Sequence, residues 1–297
     1  MGAQRRRTGS RYLPYLLIGV AMVYLALLLG YPFLTGVRLS FTETSILAPT
    51  RGEWVGLDNY IEAFGSSELW ATLWTTLVYT AGSVVGAVGV GFAVALLLNR
   101  SFRGRGIARA IVAIPWAMPI VATSLVMAWI FDNQYGITTR AATAAFGDAP
   151  GWLTDPGAAL PTIIVITVWK IFPIAALVLL AALQGVPEDQ YEAARVDGAG
   201  SLNLFKNVTV PNVMPTLTVL ILLVTIWSFR RFEIIWLLTQ GGPLRETNTI
   251  VIDVYREAFR HQQLGLAAAL GMIGLLLAIV ATVVYFIAQR RLDQRNA

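Results

Sequence analysis

The chain has 297 residues, of which 56% are hydrophobic and only 13% are charged, and its net charge at pH 7 is +5. A soluble globular chain carries about 25% charged residues, so this composition predicts a membrane protein. The chain has no cysteine and a single histidine, His261, which excludes thiol chemistry, disulfides and a His-rich metal site.

Six apolar segments are long enough to cross a bilayer as helices, which requires about 20 residues each. The first follows three arginines, but it is too long for the apolar part of a signal peptide and no cleavage site follows it. The pattern therefore predicts an all-α membrane protein with six transmembrane helices within one membrane domain, residues 12–289. The predicted spans are residues 12–36, 72–98, 107–131, 159–183, 213–238 and 264–289.

Small residues recur inside two of these segments. Glycine lets neighbouring helices approach closely in a membrane, so we expect these faces to pack against other helices. The residues are Gly82, Gly86, Gly89 and Gly91 in the second segment, and Gly271 and Gly274 in the sixth.

Basic residues are concentrated on one side of the predicted membrane domain. They occur in the N-terminal tail (residues 1–11), in the loop 99–109, in the polar insert 184–212 and in the C-terminal tail (residues 290–297), whereas the opposite loops hold fewer. By the positive-inside rule, these four segments and both termini are expected in the cytoplasm. The opposite side carries tryptophans that fit an interfacial belt, namely Trp54, Trp70, Trp74 and Trp152.

The stretch EDQYEAARVDGAGSLNLFKNVTVP, Glu188 to Pro211, is polar although apolar spans flank it. We expect a short helix over Pro187–Val196, because proline suits a first helical position and the acids that follow it complement the helix dipole. Gly198 and Gly200 are expected to end this helix. A second short helix, SLNLFKNV, would then precede a turn at Pro211. The insert is either a solvated connector or an element that docks into a groove on a partner, and the residues alone leave both open.

The same stretch resembles the EAA loop of binding-protein-dependent ABC importer permeases. The match consists of the EAA triplet, a following glycine and a hydrophobic ending with proline, where Val210 stands in place of the more usual leucine. The resemblance implies the type I importer permease fold, in which this loop is a coupling helix held in a cleft of a cytoplasmic ATPase. The coupling residues it implies are Glu192, Ala193, Ala194, Asp197, Gly198, Ala199, Phe205 and Pro211.

Two further stretches are similar to carbohydrate-uptake permeases of the maltose and glycerol-phosphate type. LLTQGGPLRETNTIVIDVYREAF, Leu237 to Phe259, is similar to their outer loop, and WVGLDNYIEAF to the segment after their first span. The three matches cover most of the chain in the right order and narrow the resemblance to the permease half of the maltose F type. The matching residues of the outer loop are Gly241, Gly242, Pro243, Thr247, Tyr255 and Phe259.

The resemblance also implies partners and a location. The partners are a second, homologous permease subunit, two cytoplasmic ABC ATPase subunits, an extracytoplasmic sugar-binding protein and membrane lipid. ATP and magnesium would bind to the ATPase subunits, and this chain would bind no cofactor. The location implied is the cytoplasmic (inner) membrane of a bacterium or archaeon, crossed several times.

The chain lacks the parts of a self-powered pump or an enzyme. A P-loop lysine follows a glycine-rich loop, but neither Lys170 nor Lys206, the only lysines, does so. We therefore assign no catalytic and no metal-binding residue, and the arginine-rich positive charge does not indicate nucleic-acid binding. The alternative is an ion-coupled secondary transporter of a small solute, a class that places carboxylates at mid-membrane. Glu233, beside two arginines, is the only acid inside the predicted spans, which gives this alternative little support.

Six residues inside the spans are candidates for the translocation pathway. Charges in a span usually face protein or water, so Arg230 and Arg231 either hydrogen-bond the cargo or form a structural pair with Glu233. Relatives tend to carry another polar residue and an aspartate here, so the double arginine is a departure. Deep tryptophans either stack on a sugar or pack in the interior. The candidates are Trp169, Lys170, Trp227, Arg230, Arg231 and Glu233.

Overall fold

The computed structural model describes residues 13–296, and most of them are helical. The predicted tail over residues 1–11 lies outside the described residues. Two compact units make up the chain. Among the described residues, the first unit combines those up to Gly65 with Tyr255–Ile273, and the second combines Ser66–Val254 with those from Gly274 to Asn296.

The first unit begins with the helix of the first predicted span. α1 (Leu13–Leu25) continues through a π-helical turn (Ala26–Gly30) into α2 (Tyr31–Leu39), so the helix extends beyond residue 36. Two short antiparallel strands follow, β1 (Thr42–Glu43) and β2 (Glu53–Trp54), and then α3 (Asp58–Gly65). The side chain of Asn59 donates from Nδ2 to the carbonyl oxygens of Ser40 and Thr42, each at 3.0 Å, which fixes α3 to the end of α2. A π-helical turn (Arg256–Arg260) and the first turns of the C-terminal helix complete the unit.

The second unit contains most of the helices. Its first five are α4 (Ser67–Asn99), α5 (Arg105–Ala117), α6 (Ile120–Ile130), α7 (Ile137–Phe146) and α8 (Ala159–Gln184). They are followed by α9 (Glu188–Val196), α10 (Ser201–Leu204), a π-helical turn (Phe205–Thr209), α11 (Val210–Phe229), α12 (Glu233–Leu238) and α13 (Ile250–Tyr255). The C-terminal helix, α14 (Leu264–Asn296), begins in the first unit and ends in the second.

Within residues 13–296, five helical segments are long and apolar enough to cross a membrane, and a sixth arises if α5 and α6 form one bent span. The six predicted spans correspond to these segments, but the third, 107–131, is not straight. α5 and α6 meet at an angle of 94°. The bend lies at Met118 and Pro119, because proline lacks the N–H that continues a helix and holds the preceding residue extended, with ψ 140° at Met118.

The fifth predicted span, 213–238, is also not a single helix. α11 ends at Phe229 and α12 begins at Glu233, so the segment breaks in its second half. At its start, helical structure already runs from Ser201 through the π-helical turn into α11, and the predicted turn at Pro211 is wrong. The π-helical turn beside this proline accommodates its missing N–H donor. The C-terminal helix likewise continues through Asn296, without a boundary at residue 289.

Close packing of α4 on α8 organises the second unit. A Cβ added to Gly86 would fall 2.4 Å from Val168 Cγ2, and one added to Gly91 would fall 2.6 Å from Ala175 Cβ. These contacts agree with the predicted glycine face on the second span, whereas Gly89 and Gly271 meet no such neighbour. Glycine is needed at the contact points because the two helices approach too closely for a side chain.

The turn between α6 and α7 is fixed by local hydrogen bonds. Asp132 Oδ1 accepts from the backbone N–H groups of Tyr135 at 2.7 Å and Gln134 at 2.9 Å, and these bonds hold the pKa of the carboxyl below its ordinary value. The short helix α7 that follows was not expected from the sequence, because its ten residues are too few and too polar to form a span.

Candidate functional site

The polar insert folds as two short helices joined by a glycine turn, and we call residues 188–209 the coupling hairpin. α9 begins at Glu188, one residue later than predicted, because Pro187 is extended, with ψ 135°, and occupies the N-cap. Glu188 and Asp189 lie in its first turn, as predicted. Gly198 has φ +80°, a left-handed conformation that favours glycine, and it reverses the chain between α9 and α10. The backbone N–H of Ala199 donates to the carbonyl of Ala194 at 2.9 Å, which closes the turn.

One face of the coupling hairpin is tied to the membrane helices. The hydroxyls of Tyr191 and Thr209 lie 3.1 Å apart, and Asn212 Nδ2 donates to Gln190 Oε1 at 2.7 Å, which connects α9 to the start of α11. The ring of Phe205 packs against Phe92 of α4 with centroids 5.7 Å apart. The coupling hairpin is therefore connected through α9 to the start of α11, and through Phe205 to α4.

The other face of the hairpin is exposed. Glu192 and Ala193 lie on it, and no other described side chain pairs with the Glu192 carboxylate. Two apolar residues on this surface were not singled out from the sequence, Val196 at 87% and Leu202 at 64% exposure. The sequence could have indicated them, because they are apolar residues within a polar insert. Of the other predicted coupling residues, Asp197, Gly198 and Pro211 are exposed, and Ala194, Ala199 and Phe205 are partly buried.

A cavity of about 260 Å³ brings together four of the six predicted pathway residues, Trp227, Arg230, Arg231 and Glu233, with Trp116. The cavity lies where two helices break, at the end of α5 and between α11 and α12. Because α11 ends at Phe229, Arg230 and Glu233 do not share a helix, and no ion pair joins them in the described structure. The alternative of a structural i,i+3 pair is therefore wrong.

Trp116 was not predicted from the sequence, although it lies only three residues before Pro119, where the helix breaks. Its ring lies 5.6 Å from that of Trp227, centroid to centroid, at an interplanar angle of 30°. The pair presents aromatic surface beside two guanidinium groups. The Nε of Arg231 is buried and has no hydrogen-bond partner among the described groups.

The remaining two candidates lie outside this cavity. Trp169 packs on a buried cluster that includes Ile234 and Ile235. Lys170, only 5% exposed, donates from Nζ to the carbonyl oxygens of Pro115 at 2.8 Å and Trp116 at 3.4 Å, and to that of Met118. These carbonyls are the unpaired acceptors at the C-terminal end of α5, where a cation also complements the helix dipole. Lys170 thus fixes the C-terminal end of α5, where Trp116 is located.

Known proteins resemble this chain along most of its length. The family model described as "Binding-protein-dependent transport system inner membrane component" matches residues 87–296. The sulfoquinovosyl glycerol transport permease of Agrobacterium fabrum is 32% identical, over 93% of this chain and 90% of its own. The diacetylchitobiose uptake permease of Streptomyces coelicolor is 33% identical over 96% of this chain and 89% of its own. The trehalose/maltose permease of Thermococcus litoralis is 36% identical over 78% of each chain.

Solved structures share the fold. A bacterial ABC transporter that imports the acidic polysaccharide alginate superimposes with a TM-score of 0.83 over 94% of this chain and 96% of its own, at 23% identity. The MetNI methionine ABC transporter gives a TM-score of 0.52 over 75% of this chain and 95% of its own, at 17% identity. The type I importer permease fold predicted from the sequence is therefore confirmed.

Proposed function

The chain belongs to the family of binding-protein-dependent transport system inner membrane components and is the permease subunit of an ABC importer, and we propose that a carbohydrate or glycoside is its cargo. The relatives named above transport a sulfoquinovosyl glycerol, a diacetylated disaccharide of amino sugars, and trehalose or maltose, all of which contain sugar rings. The ion-coupled transporter that the sequence left as an alternative is not favoured.

The permease works with partners in this proposal. A second, homologous permease completes the pathway, two cytoplasmic ATPase subunits bind ATP and magnesium, and an extracytoplasmic solute-binding protein delivers the cargo. The absence of a P-loop from the sequence supports an external source of energy. The family description, which names dependence on a binding protein, supports the third partner.

The observation that carries the proposal is the exposed coupling hairpin. Its outward face, with Glu192, Val196 and Leu202, is suited to a groove on an ATPase. When the ATPases close, α9 would move with them, and the bonds from Tyr191 to Thr209 and from Gln190 to Asn212 would pass the motion to α11. α11 has 20 residues, which is about 30 Å of helix, and it ends at the cavity.

The cavity is the proposed cargo-contacting part of the pathway. The Trp116 and Trp227 rings offer apolar faces for a sugar ring, and Arg230 and Arg231 offer donors for its hydroxyl or acidic groups. Glu233 supplies an acceptor on the same wall. Lys170 acts indirectly, because it fixes the end of α5 that carries Trp116.

We expect Glu192→Ala to weaken both ATPase association and coupled transport. An exposed ion pair contributes only about 0–1 kcal/mol, but loss of one partner from a desolvated pair at an interface costs about 2–5 kcal/mol. The substitution should not unfold α9, because alanine is the better helix former. The measurement is co-purification of the ATPase together with ATP hydrolysis stimulated by the binding protein.

Glu188→Ala is the matched control, since Glu188 is also exposed on α9 but lies in its first turn. It should change association much less than Glu192→Ala. If both variants behave as wild type, α9 docks through its alanines and apolar residues alone. If Glu192→Ala keeps the ATPase but loses stimulation by the binding protein, Glu192 transmits motion rather than holding the complex together.

The proposed orientation places residues 1–11, 99–109, 184–212 and 290–297 in the cytoplasm, with the protein in the inner membrane. The chain has no native cysteine, so a cysteine at position 200 can be labelled without background. A membrane-impermeant maleimide should label it only after the membrane is opened. Labelling of position 200 in intact cells would contradict this orientation, whereas a cysteine in place of Leu47 should be labelled in intact cells.

A further inference from the structure

The side chains that line the cavity between α11 and α12 carry a surplus of one positive charge. Arg230 and Arg231 contribute two cations, and Glu233 contributes the one acid among the described lining residues. Within residues 13–296, no ion pair joins either arginine to a carboxylate. One guanidinium in the cavity therefore has no acid of this chain to balance its charge.

The ends of the two helices do not supply the missing negative charge. Arg230 directly follows α11, where the helix dipole places about half a negative charge. Glu233 begins α12, where the dipole places about half a positive charge. Each helix end favours the side chain beside it, but the two partial charges offset each other. The surplus positive charge of the side chains therefore remains.

This surplus charge lies in a part of the chain where charge is costly. Both arginines belong to the fifth predicted span, and Arg231 Nε is buried without a hydrogen-bond partner among the described groups. A guanidinium withdrawn from water loses hydration, and an anion or a strong acceptor restores the lost interactions. Charged side chains within membrane spans are accordingly rare and mark the pathway of a substrate or an ion. The cavity is therefore suited to an anion that comes from outside the chain.

The other groups of the cavity suit a ring that carries hydroxyls. The rings of Trp116 and Trp227, 5.6 Å apart between centroids, offer apolar faces. The Glu233 carboxylate accepts hydrogen bonds but donates none, so it matches a hydroxyl and repels a second acid. A guanidinium presents its donors in a planar fork that matches the two oxygens of a carboxylate. Together these groups match a sugar ring that carries a single acidic group.

We propose that the cargo is an anionic sugar, whose ring contacts Trp116 and Trp227 and whose carboxylate binds to Arg230 and Arg231. This inference rests on the proposed function, because it concerns the cargo that enters the same cavity. It goes further, since a neutral sugar would occupy the ring and hydroxyl positions but would leave the surplus charge without a counter-ion. The unpaired guanidinium therefore selects acidic over neutral sugars.

The test measures the binding of two probes to the complete transporter complex, purified in detergent without the binding protein. Glucuronate and glucose differ at one carbon, which is a carboxylate in the first and a hydroxymethyl group in the second. The dissociation constant of each probe is obtained from the concentration dependence of the temperature of thermal unfolding. Glucuronate should bind at least about tenfold more tightly than glucose, since a desolvated charge pair changes affinity by at least this factor. Sodium acetate, a carboxylate without a ring, should bind more weakly than glucuronate.

Two substitutions in the cavity should have opposite effects on glucuronate. Arg231→Gln should weaken its binding at least about tenfold, because the substitution removes the cation that balances the carboxylate. Glu233→Gln should strengthen glucuronate binding without strengthening glucose binding, because it removes a negative charge beside the carboxylate. Glu233 is exposed, so this variant tests the charge even if Arg231→Gln folds poorly. A merely structural role of these residues would not improve the binding of one probe alone.

Arg140→Gln is the matched control, because it removes the same charge from an exposed position of α7 that does not line the cavity. It should leave the dissociation constants of both probes unchanged. An equal effect of Arg140→Gln and Arg231→Gln on glucuronate would show that net charge, and not the cavity, attracts the probe, which would overturn the inference.

The remaining outcomes separate this inference from the proposed function. Equal affinity for glucuronate and glucose, or binding of neither probe, would overturn the anionic cargo while the sugar permease stands. Acetate as effective as glucuronate would indicate an adventitious ion only and would also overturn it. Weaker glucuronate binding by Glu233→Gln would contradict the charge argument. The proposed function itself fails if the binding protein does not stimulate ATP hydrolysis by the wild-type complex.

Discussion

Gly198→Val is expected to reduce coupled uptake at least about tenfold while the chain still inserts into the membrane. Gly198 has φ +80°, and a left-handed conformation costs a residue with a Cβ roughly 1–2 kcal/mol, with a larger cost for a β-branched residue. The variant would relieve this strain by changing the angle between α9 and α10, and Glu192, Val196 and Leu202 would no longer face one groove. The measurements are uptake and ATPase co-purification.

Gly200→Val is the control for this prediction. A Cβ at position 198 or at position 200 meets no atom within 4 Å, so neither substitution causes a contact clash at Cβ. Gly200 has φ −71° and ψ 169°, an extended conformation that valine adopts readily. Normal uptake by Gly198→Val at normal expression would show that the turn does not need its left-handed residue and would argue against the coupling role.

Lys170→Met is expected to destabilise the permease by at least about 2 kcal/mol and to reduce uptake strongly. Methionine has nearly the same length as lysine but donates no hydrogen bond, so the buried carbonyl of Pro115 and the partly buried carbonyls of Trp116 and Met118 would lose their partner. Each buried acceptor that loses its partner costs about 1–3 kcal/mol. Without this contact the end of α5 is free to move, and Trp116 loses its position against Trp227.

Lys206→Met is the matched control, because Lys206 is the only other lysine and is exposed on the coupling hairpin. Lys170→Met should lower both the temperature of thermal unfolding in detergent and the rate of uptake in proteoliposomes. Lys206→Met should leave the unfolding temperature unchanged. A Lys170→Met variant as stable and as active as wild type would contradict the claim that Lys170 fixes the C-terminal end of α5.

The coupling hairpin could be predicted from the sequence because its signals are local. Acids after Pro187 mark a helix start, and Gly198 marks a reversal of the chain. The breaks in the third and fifth spans were harder to predict from the sequence, because the average hydrophobicity of a segment does not indicate where a helix ends within it. Pro119, and the charges at Arg230 and Arg231, were signals that the segment averages concealed.

The cavity depended on tertiary structure and could be predicted only in part. Charge inside a span identified Arg230, Arg231 and Glu233, but no local pattern brings Trp116 of α5 to Trp227 of α11. The same holds for Lys170, whose acceptors lie more than fifty residues earlier in the chain. A buried lysine is compatible with either a cargo contact or a structural one, and only the position of its Nζ against three carbonyls distinguishes them.

The central claim is that the coupling hairpin contacts the ATPase, and a site-directed crosslink tests it most directly. Val196 is 87% exposed on the hairpin and the native chain has no cysteine, so Val196→Cys provides one reactive position. In the assembled complex, a short thiol-reactive crosslinker should join this position to the ATPase subunit, with a yield that changes when ATP is added. Leu47→Cys, in a segment that the proposed orientation places outside the cytoplasm, should give no such product. An intact complex in which Val196→Cys never crosslinks to the ATPase would contradict the claim.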